Sequence, residues 1–269
     1  RGISPMCKNC QAGNYSSCAN FAEGNLPPGT GIGGNSRTGG GWGEYFVAHT
    51  ERVYVLPESI SDRTGLFIEP FCCALHSVMK LTLKDEPTIL VFGAGTIGLC
   101  TIAALRVLGF SGRILVAAKY PFQQEAARQM GADVIVPTGG RELLEKVAEL
   151  TGGKVHKARF SSNCTLMGGV DVVFDWVGNT QTVTDSLKLL RGGGDMILGG
   201  IGNPRDVDWT ALWFQEGVIH GSSGHATETY EGKRITTFEL AIRLLSESGL
   251  SLDGLLTHTF TLDQYAQAL

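Results

Sequence analysis

Val91-Phe-Gly93-Ala-Gly95-Thr-Ile-Gly98 joins a short apolar run to an apolar-periodic segment through three spaced glycines. Ile89, Leu90, Val91 and Phe92 form a continuous apolar run after Pro87, as expected of a strand buried on both faces of a parallel sheet. A helix is expected to begin at the turn. Ile97, Thr101, Ala104, Leu105 and Leu108 fall at helical spacing, and Gly109 stands where a left-handed C-terminal cap belongs. Gly93 permits the tight bend, Gly95 lets backbone N–H groups approach a pyrophosphate, and Gly98 lets the helix pack closely on the strand. Strand, glycine turn and helix together predict dinucleotide binding by Gly93, Gly95, Thr96, Ile97 and Gly98, against the plainer reading of a structural turn.

The α/β rhythm continues from there. Residues 113–117, 134–136, 170–174 and 196–198 read as further strands. The intervening helices carry Phe122, Ala126 and Met130, then Leu143, Val147 and Leu150, then Val183, Leu187 and Leu190, each set along one face. Residues 152–169 read as a surface excursion in which Cys164 is a spectator. Strands alternating with helices through short turns predict an α/β, doubly wound parallel sheet of the Rossmann type over about 84–219. Ligands of such sheets lie at the carboxyl ends of the strands, so the turns after Phe92, Ala117, Phe174 and Leu198 are expected to line one crevice. After the second strand, an acidic residue would accept hydrogen bonds from the adenosine ribose of NAD. This chain has Ala118-Lys119-Tyr120 instead. No carboxylate repels a 2′-phosphate, Lys119 offers a cation and Tyr120 a ring face, so NADP is expected over NAD unless Lys119 merely points into solvent.

The flanking segments differ. Residues 1–83 open on Ser4-Pro-Met-Cys7-Lys-Asn-Cys10, with Cys18 after a glycine-containing turn. Two thiolates three residues apart can clamp Zn²⁺, and a third supplies another vertex. Ser4 stands where a fourth cysteine would continue the rhythm, which leaves two readings: a site completed by another group, or a loop without metal. Glu44–His49 and Val53–Pro57 read as short strands of a β-rich domain, and Ser61 or Asp62 as the cap of the next helix. Glu69 stands among Leu66, Phe67, Ile68, Phe71 and Cys72, where a carboxylate needs a partner: a helix terminus or arginine, or else a metal or a proton-transfer role. Over 220–269 the pattern predicts a helix through Phe238, Ile242 and Leu245 and a strand at 255–260, a return to the first domain. His220, His225 and His258 read as ordinary satisfied residues.

Composition excludes several classes. A net charge of −4 gives no reason to expect a nucleic-acid or anionic-membrane partner, and no segment reaches the length of a membrane span. Seven scattered cysteines in a chain this large imply a reducing compartment, hence the cytoplasm. The start at Arg1, already within the cysteine loop, leads us to expect a preceding segment.

The order of motifs resembles one family. The cysteine loop, Gly43-Glu44-Tyr45, Ile68-Glu69-Pro70, the glycine turn, Gly131-Ala132-Asp133 and Leu256-Thr-His258 together resemble the zinc-dependent medium-chain alcohol dehydrogenases, in their sorbitol and threonine dehydrogenase branch. The resemblance implies a partial GroES-like catalytic domain (1–83, with an incomplete return at 220–269) beside the Rossmann domain (84–219). It implies zinc and NADP or NAD as cofactors, and a small alcohol, polyol or carbonyl substrate. Glu69 matches the late acidic zinc ligand and is the one catalytic residue expected in this chain. Cys7, Cys10 and Cys18 match three structural-zinc cysteines, with Ser4 departing at the fourth. Val177, Gly178, Gly200 and Ile201 would border the nicotinamide. Leu212-Trp213-Phe214 and Val218-Ile219 resemble a subunit-contact strand, so a homodimer or homotetramer is expected. The family's catalytic cysteine and its Gly-His-Glu segment lie upstream of the loop, and its last elements lie beyond Leu269, so the chain reads as an inactive fragment. The alternatives are a non-catalytic dinucleotide-binding module and a zinc-free quinone reductase on the same fold.

Overall fold

The computed structural model describes residues 5–25, 27, 31–83, 86–157, 159 and 163–269, apart from the side chains of residues 32 and 51. In chain order the elements are α1 (Lys8–Gln11), α2 (Asp62–Gly65), α3 (Ile68–Met79), β1 (Ile89–Phe92), α4 (Thr96–Val107), β2 (Ile114–Ala117), α5 (Pro121–Gln129), β3 (Val134–Val136) and α6 (Gly140–Thr151). There follow β4 (Lys154–Lys157), β5 (Cys164–Met167), β6 (Val170–Asp175), α7 (Thr180–Leu189), β7 (Leu190–Leu198), α8 (Thr210–Phe214), β8 (Val218–Gly221), β9 (Thr227–Tyr230), β10 (Lys233–Thr236), α9 (Thr237–Ser248) and α10 (Tyr265–Ala268). The chain divides into two compact units, Cys73–Ser223 and Arg1–Cys72 with Gly224–Leu269. No helix among the described residues is long and apolar enough to cross a membrane.

The Cys73–Ser223 unit is built on a six-stranded parallel sheet in the order β3-β2-β1-β6-β7-β8. This is the doubly wound α/β arrangement, with the chain reversing direction between β1 and β6. Ile89, Leu90, Val91, Ile114, Leu115 and Val116 are wholly buried, because strand alternation gives each face of a central strand its own helical layer. Leu90, Phe92, Leu115 and Val173 meet Leu143 and Val147 of α6 and Val183 and Leu187 of α7 in one cluster. On the other face α4 packs beside β1 and α5, and Ile102, Ala103 and Leu105 are fully buried.

Three expectations for this unit need correction. Residues 154–157 and 164–167 are more than a surface excursion: they pair antiparallel as β4 and β5, with β4 exposed and Leu166 wholly buried in the core cluster. Phe122 is 68% exposed and stacks on Tyr120, whereas Ala127, one position off the expected stripe, is the buried residue of α5. The fifth strand starts at Leu190, which therefore leaves the preceding helix, and β8 adds a sixth, parallel edge strand.

In the other unit, β9 and β10 form a hairpin closed through Glu231 and Gly232, both at positive φ. A capping box of Thr236 and Glu239 starts α9, and Gly249 at φ +65° ends it. Leu240, Ala241, Leu245 and Leu252 are buried, and Asp253 accepts hydrogen bonds from the hydroxyls of Ser61 (2.6 Å) and Thr64 (2.7 Å). The cysteine loop rests on the hairpin through Thr227 N–H to Gly13 O (3.0 Å) and Arg234 Nη2 to Ala12 O (2.8 Å). Ser61 caps α2 as expected. The strands expected at 44–49, 53–57 and 255–260 do not form: these segments find no partner strand among the described residues, and an unpaired ladder leaves the backbone to turns and water.

Candidate functional site

The glycine turn is built as its spacing requires. Gly93 bends the chain at φ +88°, and its N–H donates to Ala117 O (3.1 Å), tying the turn to the end of the neighbouring strand. Gly95 is the N-cap of α4, and a side chain added there would meet nothing within 4 Å. A Cβ on Gly98 would lie 1.9 Å from Gly93 O, so only glycine lets the first turn of α4 sit this close to the bend. The result is an open cradle at a helix N-terminus, whose unpaired N–H groups and dipole favour an anion.

That cradle forms one wall of a cavity of about 550 Å³, lined by Phe92, Gly93, Gly95, Thr96, Ile97, Gly98, Ala117, Lys119, Gln123, Thr138, Trp176, Val177, Asn179, Gln181 and Thr182. Of the expected cofactor residues, Gly93, Gly95, Thr96, Ile97, Gly98, Lys119 and Val177 are thus brought together. Ala118 is buried behind the end of β2, and its carbonyl accepts from Gln124 Nε2 (3.0 Å). Tyr120 stands half exposed beside the mouth, with Lys119 Nζ 5.4 Å from its ring centroid. Gly178 and Gly200 meet backbone to backbone behind Val177, and Ile201 is fully exposed.

Sequence reasoning missed Gln123, Thr138, Trp176, Asn179, Gln181 and Thr182. Position after a strand end would have found Thr138 and Trp176, and Asn179 and Thr182 carry the spacing of a helix cap. They form a capping box, in which Thr182 N donates to Asn179 Oδ1 (2.9 Å) and Asn179 N donates to Thr182 Oγ1 (3.2 Å).

A second missed residue lies beneath the crevice. Asp175 ends β6 and is wholly buried. Its Oδ1 accepts from Val177 N and Gly178 N, both at 2.9 Å, and its Oδ2 has no hydrogen-bond partner among the described residues. Burial pushes the carboxyl above its ordinary pKa, and the Gly178 and Val177 N–H groups, with the nearby Thr182 hydroxyl, offset this only in part. A carboxylate at the end of an apolar strand was the sequence signal. The same reasoning singled out Glu69, which is instead exposed in the first turn of α3. Its exposure in that turn removes the argument from burial.

Cys7, Cys10 and Cys18 do converge, with all three sulfurs within 4.8 Å of one another and Cys7 Sγ 4.0 Å from Cys18 Sγ. Tetrahedral vertices at a Zn–S bond of about 2.3 Å are about 3.8 Å apart, so the spacing suits a zinc ion. Backbone N–H groups of Cys10 and Ala19 hold the Cys7 thiol down at about 6, while burial and its two neighbours push Cys10 up to about 12. One thiolate is thus ready at neutral pH, and a cation would favour the rest. Ser4 lies outside the described residues. Among the described residues this is the one group of three or more metal-ligating side chains, and Glu69 is not in it. The three histidines singled out above are engaged elsewhere: His220 with Asp195 (2.7 Å), His225 edge-on to Phe238, and His258 with Thr257 and against Phe260.

The chain is 29% identical over 263 residues to an L-threonine 3-dehydrogenase of Anaeromyxobacter sp. (strain K), covering 97% of this chain and 66% of that protein. It is 24% identical over 265 residues to the sorbitol dehydrogenase of Bacillus subtilis, covering 98% and 66%. Among solved structures, 2R,3R-butanediol dehydrogenase from Bacillus subtilis superposes with a TM-score of 0.71 at 26% identity, covering 93% of this chain and 66% of that one. The chain therefore spans just under two thirds of the length of these relatives. Residues 96–246, more than half of the chain and including α4 and the turns after β6 and β7, match the zinc-binding dehydrogenase family. The chain belongs to that family.

Proposed function

We propose that this chain holds the cofactor of an oxidoreductase that passes a hydride between a secondary alcohol or polyol, or the corresponding carbonyl, and NADP or NAD. One observation carries the reading: Gly98, where a Cβ would strike Gly93 O at 1.9 Å, keeps a helix N-terminus against an open glycine cradle within a 550 Å³ crevice. Backbone N–H groups at Thr96 and Ile97 would hold the pyrophosphate. Lys119, with no carboxylate at Ala118 to oppose it, would pair with a 2′-phosphate, which favours NADP. Trp176 and Val177 would wall the far end, keeping water from the transfer. Bound there, a nicotinamide dinucleotide would accept or donate the hydride.

For zinc the described residues divide. The three thiols fit a structural ion. Glu69 stands in no group of three ligands among the described residues, so they do not by themselves make a catalytic centre. A second reading is a dinucleotide-binding module without chemistry of its own. Where turnover is measurable, Glu69→Ala should lower it far more than cofactor affinity; equal losses would make Glu69 structural. Zinc analysis of the purified chain should find metal that is lost in Cys10→Ser.

Trp213 and Phe214 of α8, 70% and 56% exposed, and Val218 on the edge strand β8 support self-association into a homodimer or homotetramer. Light scattering after size exclusion tests it, and a monomer throughout would count against it. The cofactor reading itself is tested by calorimetric titration with NADPH and NADH in parallel. NADPH should bind tighter, and Lys119→Asp should remove the preference, about tenfold for a lost charge-assisted contact.

A further inference from the structure

Asp175 is in register with Phe92 of β1 and Leu198 of β7, so three adjacent strands end on one row directly below the crevice. Its side chain and main chain face different turns. Oδ1 holds Val177 N and Gly178 N of the turn after β6, and its carbonyl accepts from Gly199 N (3.1 Å) and Gly200 N (2.9 Å) of the turn after β7. These turns touch with no room between them. A Cβ on Gly178 would lie 2.5 Å from Gly200 O, and one on Gly200 would lie 2.4 Å from Gly178 N. Gly202 N donates to Val177 O (3.3 Å), closing the junction from the far side. Trp176, between Asp175 and the turn it holds, lies so close to Gly199 that a Cβ there would fall 2.2 Å from its ring.

We propose that Asp175 is a positioning residue: a buried clamp whose one carboxylate oxygen fixes the Trp176–Gly178 turn and, through the glycine junction, the Gly199–Gly202 turn, thereby setting the nicotinamide end of the crevice. The proposal rests on the dinucleotide reading given above. The Asp175 carboxylate bonds to the Val177 and Gly178 N–H groups, while the cradle has its own tie from Gly93 N to Ala117 O and meets the clamped turn through Trp176 and Val177, which lie against Gly93 and Gly98. The clamp therefore acts first on the nicotinamide end and reaches the pyrophosphate end only through Trp176 and Val177, whose apolar packing there does not depend on the carboxylate.

The test compares two ligands on the full 269-residue chain: NADPH, and 2′,5′-ADP, which lacks the nicotinamide half. Asp175→Ala should weaken NADPH by about tenfold or more, the measure of two lost hydrogen bonds to a charged or buried acceptor, and change 2′,5′-ADP by less than about twofold. Asp175→Asn, which keeps an acceptor at Oδ1, should restore NADPH to within about threefold. Should the alanine variant not fold, Asp175→Ser is read the same way, because its shorter side chain cannot span both N–H groups. Equal weakening of both ligands would make Asp175 merely structural, and unchanged NADPH binding would refute the clamp. Amide hydrogen exchange, read without ligand, separates this from failure of the cofactor reading. Exchange at Val177, Gly178, Gly199 and Gly200 should quicken at least about tenfold in Asp175→Ala while α4 stays as it was. Unquickened exchange overturns the proposal even if NADPH binds; a parent chain that binds neither ligand overturns the cofactor reading while the exchange still decides the clamp.

Discussion

The two units take similar sequence patterns to opposite ends. Ile89–Phe92 and Val53–Pro57 are both short apolar runs beside a proline, yet Val91 is wholly buried and Val55 is 91% exposed. The difference lies in what the neighbouring sequence supplies. Every strand of the parallel sheet before β8 is followed by a helix and a later strand of the sheet, so a crossover delivers a hydrogen-bonding partner within a few tens of residues. Val53–Pro57, like Glu44–His49, has no such partner among the described residues, and Tyr45 and Val47 stay exposed beside it. Apolar pattern proposes a strand; only a second edge makes one.

The contrast can be broken by substitutions of graded size. Phe174, fully buried beside Asp175, should lose about 3–5 kcal/mol on change to alanine, measured by denaturant unfolding. A loss near zero would mean that the central sheet is no better packed than the exposed segments. Gly98→Ala should lose about 1–3 kcal/mol through overlap with the Gly93 carbonyl, and with it NADPH binding. Retention of both would show that the turn can yield.

A smaller effect carries a definite sign. Because burial raises the Asp175 pKa in the folded chain, folding favours the protonated form, and its contribution falls as pH climbs from the ordinary carboxylate value of 3.8 through the raised one. Asp175→Asn has no such titration. The stability of the asparagine variant relative to the parent should therefore rise as pH climbs above the ordinary carboxylate value, and a flat difference would mean that the carboxyl is not shifted. Least of all, Val55→Ser should change stability by under about 0.5 kcal/mol. A loss several times larger would mean that this segment is covered in solution, and the comparison between the units would fall.

Legibility followed the same division. The parallel sheet could be read because β1, β2 and β3 are uninterrupted apolar runs and β6 and β7 each carry one, and the glycine turn because each of its three glycines answers a separate steric demand. β8 was harder: four residues behind a short helix carry little periodicity, and only pairing with β7 makes Val218–Gly221 a strand. In the crevice, residues chosen by backbone need were found, while Gln123, Thr138 and Gln181 were not, since their side chains reach the site from helices and turns whose orientation only the packed sheet decides. Asp175 and Glu69 are the sharpest pair. Both are carboxylates in apolar company along the chain, but a strand inside a sheet closes around its last residue, whereas the first turn of a helix leaves one side open.

Trp176 gives the crevice an optical property. Its indole lines the cavity, and its Nε1 is buried without a hydrogen-bond partner among the described residues, so its emission should be that of a ring shielded from water. The other tryptophans, Trp42, Trp209 and Trp213, are half exposed or more. A reduced nicotinamide absorbs where tryptophan emits, so the crevice would report its own filling by energy transfer, with no label and no turnover required.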